Sequence, residues 1–116
     1  MKNFSRSWWI AAVLLSMFLL SCKEATKISE INADPGSFHG KEIQIAGMVT
    51  QSIGVLGKGV YQLSDGTGSL WIYSDKLGVP SKGAAVGVKG TVLPSFVFLG
   101  VNYATVLKES DRKSAK

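Results

Sequence analysis

From Glu42 onward the apolar residues of this chain recur at every second position, not at the three-and-four spacing of a long amphipathic helix. In EIQIAGMVT, Ile43, Ile45, Gly47 and Val49 share one side, and Glu42, Gln44, Ala46 and Met48 the other. That is the alternation of a half-buried strand, and Gly47 marks a bend or bulge in it. Four more such runs follow: VYQLS (60–64), SLWIY (69–73), AAVGVKGTVL and VNYATVLKE. In the fourth strand Val86, Val88, Gly90 and Val92 oppose Ala85, Gly87, Lys89 and Thr91. Glycine-bearing segments separate the runs: SIGVLGKG, DGTG, SDKLGVPSKG and PSFVFLG. Ahead of them, Ile28 and Ile31 are spaced for one helical turn, which Asp34-Pro35-Gly36 ends. Five short strands without a long helix predict an all-β fold, a small barrel whose closure removes unpaired edges.

The start of the chain follows another logic. Lys2 and Arg6 precede residues 8–20, WWIAAVLLSMFLL, thirteen residues without a charge. A membrane-spanning helix needs about 20 apolar residues, so this run reads as the core of a secretory signal peptide. It ends in LLSC, and Cys22 is the only cysteine. An aliphatic residue, a variable one, a small one and then cysteine resembles the lipobox of bacterial lipoproteins. The resemblance implies cleavage before Cys22 and acylation of its thiol. Expected boundaries are a signal peptide at 1–21, acylated cysteine and polar tether at 22–27, the domain at 28–109 and a polar tail at 110–116. Lys23 stands where an Asp would favour inner-membrane retention, so the expected location is the cell envelope, on the outer membrane if there are two. One cysteine also excludes an intrachain disulfide.

Within the domain, GKEIQIAGMV, VYQLSDGTGSLWIYSD and GAAVGVKGTV together resemble the OB-fold of the tRNA-anticodon-binding type, LSDGTG being the most specific part. The resemblance implies a five-stranded barrel that binds oligonucleotides, oligosaccharides or proteins across strands two and three. DGTG itself lacks the Lys and the following helix of a phosphate loop, and its composition is that of a hairpin corner. With Tyr61, Leu63, Leu70 and Ile72 pointing inward, Val60, Gln62, Trp71 and Tyr73 point outward. Gln62, Trp71 and Tyr73 are then candidate ligand residues, the aromatics facing a ligand or packing under a neighbouring segment. The loops add Lys58, Phe96 and Phe98 as candidates; FVF either forms an apolar rim or extends strands four and five. The whole chain has 13 Lys and Arg against 8 Asp and Glu, a net charge of +5. Two of those cations lie in the leader, so the domain is only mildly basic and lacks the charge density of a phosphate binder. His39 is the only histidine, in a loop without ligands at metal spacing. No catalytic constellation, metal or cofactor site is expected. The expected function is a non-catalytic, membrane-anchored binding or assembly module of the bacterial envelope, its partner a protein or glycan. Single-stranded nucleic-acid binding is the alternative.

Overall fold

A computed structural model describes residues 25–114; the residues expected as a signal peptide, and Cys22, lie outside them. A short helix α1 (Ile28–Ala33) and a 3-10 turn (Pro35–Ser37) precede five strands: β1 (Glu42–Val55), β2 (Lys58–Ser64), β3 (Ser69–Ser74), β4 (Ala85–Phe98) and β5 (Val101–Ser114). They close into a barrel in the order β1-β2-β3-β5-β4. Every pairing is antiparallel except β3 with β5.

The alternation decides the interior. Ile45, Val49, Tyr61, Leu63, Leu70 and Ile72 are buried in one cluster with Val86, Val88, Val92 and Leu107. The two isoleucines of α1 join that cluster, so the single helical turn plugs one end of the barrel. The other end is crossed by the β3–β4 loop. Gly54 and Gly59 pair directly across the first hairpin, and Val79 from that loop rests on their bare backbones. A Cβ would come within 2.8 Å of Val79 at Gly54 and within 2.7 Å at Gly59, so both positions require glycine.

Two expectations are corrected and one alternative is decided. The bulge of β1 lies at Thr50, between the Val49–Leu63 and Gln51–Gln62 pairs. Gly47 instead lets the backbone of Ser64 pass where a side chain would clash. Of the two alternatives for FVF, the strand holds: β4 runs through Phe98 and turns on Leu99-Gly100 into β5. Finally, residues 110–114, expected as a tail, continue β5 and pair as far as Val86 with Ser114. A polar composition concealed that strand because its outer face is solvated, while Arg112 reaches back over the barrel end.

Candidate functional site

β2 and β3 present one row of outward residues, and the rest of the chain decides how much of it stays open. Gln51 of β1 is opposite Gln62 of β2, Gln62 is opposite Trp71 of β3, and Trp71 is beside Val106 of β5. Two amides and an indole therefore stand in line across three strands. The Gln62 carbonyl Oε1 accepts from Thr50 Oγ1 at 3.1 Å and Gln51 Nε2 at 3.4 Å. That orients the amide and turns its NH2 group away from those neighbours.

Beyond Val106 the β4–β5 hairpin becomes an arm. Pro94 has no N–H to pair, and Thr105, a β-branched residue, takes φ 56° between the Leu93–Val106 and Ser95–Ala104 pairs. The ribbon folds back over the outer face of β3. Tyr103 comes to 5.0 Å from Trp71, and Phe96 to 4.1 Å from Tyr73, between ring centroids. Phe98 lies 6.1 Å from Tyr73. Tilted aromatic pairs at these separations are attractive beyond their buried area. Val60, opposite Tyr73, is outward-facing yet 0% exposed, as is Val106.

Each residue singled out in the sequence can now be placed. Tyr73, Phe96 and Phe98 come together, half-buried, on one another. Trp71 is also half-buried, with Gln62 on one side and Tyr103 near its ring. Lys58 stands apart, exposed at the start of β2 beside the first hairpin turn. Sequence reasoning did not single out Tyr103, Thr50 or Gln51. The alternation of VNYATV placed Tyr103 on a strand, but only the fold of the arm brings it to Trp71.

A second polar group closes the far end of the barrel. The Tyr61 hydroxyl donates to Glu109 Oε1 at 2.6 Å, and Arg112 Nη1 donates to the same oxygen at 3.1 Å. Arg112 also donates to the carbonyls of Leu77 and Gly78, both at 3.0 Å, tying β5 to the β3–β4 loop. Its guanidinium lies 5.7 Å from the Tyr61 ring centroid. Burial, and then the hydrogen bond and charge of Glu109, push the Tyr61 phenol far up, so it is a neutral donor. This set is structural in its geometry: the Glu109 side chain is 1% exposed and its oxygen faces groups of the same chain. Among the described residues no three His, Cys, Asp or Glu gather as a metal site, and His39 is exposed beside Val92. No helix among them is long and apolar enough to cross a membrane.

No protein-family model matches the chain, and no curated protein sequence matches it. Solved structures do. Asparaginyl-tRNA synthetase from Pyrococcus horikoshii, complexed with asparaginyl-adenylate, is similar over 82% of this chain at 19% identity, with a TM-score of 0.64. The match takes in only 23% of the synthetase. OBody AM3L09, bound to hen egg-white lysozyme, is similar over 81% of this chain and 97% of its own length, at 19% identity and a TM-score of 0.60. At this identity the likeness concerns the fold: the domain is an OB-fold barrel with a short helix before β1.

Proposed function

We propose that this protein is a non-catalytic binding module, held to a membrane of the bacterial envelope by lipid on Cys22, whose OB face takes a neutral oligosaccharide. One observation carries the ligand class: the line Gln51, Gln62, Trp71 has amides and an aromatic plane, and β2 and β3 carry no charge except Lys58. Sugar hydroxyls pair with amides, and the apolar face of a pyranose lies on an indole. A phosphate backbone would need cations along its track. The lipobox supports the tether and, with it, an envelope glycan.

The alternative, single-stranded nucleic acid, draws on the likeness to a tRNA synthetase and on the Trp71–Tyr103 pair, since bases also stack on aromatic rings. Trp71 is the only tryptophan between residues 25 and 114, so its fluorescence reports this face alone. Titration of residues 25–114 with N-acetylglucosamine oligomers is expected to shift Trp71 emission equally at low and high salt. Trp71→Ala should weaken binding, measured by calorimetry, by about 1–3 kcal/mol, the scale of an aromatic stack. A response to short single strands that falls steeply with salt, with none to the glycan, would replace this reading by the alternative. For the tether, Cys22→Ala in the full chain is expected to abolish fatty-acid labelling and membrane retention. Persistence of both would remove the lipid anchor.

A further inference from the structure

Two hairpin turns of the molecule are built against the local preference of the backbone. Val55 pairs with Lys58 and Phe98 with Val101, so the hairpins close on Leu56-Gly57 and Leu99-Gly100. All four residues take positive φ: 52° and 81° in the first turn, 52° and 78° in the second. Such turns favour Asn, Asp or Gly at the first place, because a larger side chain crowds the following carbonyl. Leucine occupies it both times and is turned to solvent, Leu56 being 98% and Leu99 65% exposed. A side chain that is almost wholly exposed contributes nothing to the interior, and asparagine would close the turn better.

Residues beside both turns lie near Tyr73. Gly78 N donates to Gly57 O, which ties the first turn to the β3–β4 loop. Val60, close behind that turn, pairs with Tyr73, and Phe98, next to Leu99, lies over Tyr73. Ile53 and Val55 are exposed beside Leu56, and Val97 and Val101 beside Leu99. Charged residues of the first turn and the loop are Lys58, Lys76 and Lys82 against Asp75, and the arm between Leu93 and Leu107 has none.

We infer that Leu56 and Leu99 insert into the interfacial layer of an anionic bilayer, as a second membrane contact beside the lipid on Cys22. Two separate convex apolar tips, the first with lysines behind it, suit a surface that deforms around each and carries the opposite charge. The tether brings that surface within reach, a step that rests on the lipid anchor proposed above. Cys22 stands three residues before Ala25, or about 11 Å of extended chain, and Thr26 is bonded to Gln44 O. The tethered end at Gln44 and the Leu56 tip are separated by the β1 run from Gln44 to Val55, at most about 36 Å. A barrel lying along the surface reaches the bilayer with both. One anchor leaves such a domain free to tumble; a second contact fixes its orientation.

Residues 25–114 hold the complete barrel and its interior and contain no cysteine, so Leu56→Cys and Leu99→Cys each offer one site for an environment-sensitive NBD label. The probes are vesicles of phosphatidylcholine with and without phosphatidylglycerol. On the anionic vesicles both labels are expected to blue-shift and to be quenched by lipid-borne nitroxide, while a label at Glu30→Cys on α1 stays in water. The pair Leu56→Asn and Leu99→Asn is expected to lower vesicle partitioning at least about tenfold, with an unchanged or higher melting temperature. Labels that remain in water on either vesicle overturn the inference. So does a lower melting temperature of the asparagine pair, which would give the leucines a folding role. Cross-linking of the tips to one protein in the native membrane, with no insertion, would replace the lipid surface by a protein socket. Because these fragments lack Cys22, failure of the lipid anchor and failure of tip insertion are separate results.

Discussion

The variant Asp65→Ala is expected to lose about 2–4 kcal/mol of stability, read as a fall in melting temperature of roughly 10–25 °C. Asp65 is the point at which the hairpin corner and the helix are joined. Its Oδ2 accepts the backbone N–H of Ile28 at 2.9 Å, capping α1 from a site 37 residues away in sequence. Its Oδ1 accepts from Thr67 Oγ1 at 2.6 Å, Thr67 N at 2.9 Å and Gly68 N at 3.2 Å, which holds the turn. Thr67 Oγ1 in turn accepts Ser29 N at 3.1 Å. Gly68 has no side chain because Asn32 and Ile28 pack against it; a Cβ there would stand 3.2 Å from Asn32 Nδ2. Removing the carboxylate therefore unties both the turn and the plug formed by Ile28 and Ile31. Loss of helix and loss of barrel are expected in one transition, by circular dichroism and near-ultraviolet absorbance alike.

The same carboxyl sets a pH dependence. Burial by itself raises its pKa, but the hydrogen bonds from Ile28 N, Thr67 and Gly68 N outweigh burial and hold it below the ordinary 3.8. A carboxyl depressed in the folded state stabilises fully above its unfolded value, about 4, and that contribution disappears as pH falls through the folded value. Asp65→Asn keeps an acceptor for the turn but does not titrate. The stability gap between the native chain and Asp65→Asn is thus expected to be constant near neutrality and to shrink below about pH 4. A gap that stays constant into strong acid would show that the carboxylate is not the titrating group.

Arg112→Ala is expected to be as damaging, at about 3–5 kcal/mol by chemical denaturation, because it leaves Glu109 buried without its counter-charge. Glu109 Oε2 and Ser74 Oγ already have no hydrogen-bond partner, so the network has little to offer an unpaired carboxylate. The guanidinium also holds the β3–β4 loop through Leu77 O and Gly78 O, and that loop carries Val79 onto Gly54 and Gly59. Loosening is expected there first, as faster hydrogen exchange at Gly78, whose N–H is bonded to Gly57 O. Replacing the set together, Tyr61→Phe, Glu109→Leu and Arg112→Met, is expected to recover part of the loss, since apolar residues of similar volume leave no buried charge.

The corner DGTG illustrates how far the sequence could be read. Its turn chemistry was legible in the residues, and so was the absence of a phosphate loop. That its aspartate caps a helix was not, because the partner N–H lies in Ile28, far off in sequence and without any local trace at Asp65. Trp71 and Tyr73 were placed on the outer face by alternation alone, and their pairing with Gln62 and Val60 follows from that register. What covers them was not legible. FVF read equally well as rim or strand, VNY read as strand, and their position over β3 depends on a fold-back at Pro94 and Thr105 that no local pattern encodes.

Period-two hydrophobicity determined by itself that this domain is a set of short strands with one buried side each. It also determined which residues of β2 and β3 face the interior, since a side chain's face follows its parity along an unbroken strand. Glycine and proline marked the turns, because φ limits are properties of single residues. Tertiary structure alone decided the contacts that join distant segments: Asp65 on α1, Arg112 across the β3–β4 loop, and the aromatic arm over Trp71 and Tyr73. Each depends on where the closing of the barrel brings residues tens of positions apart, and that distance carries no periodic signal.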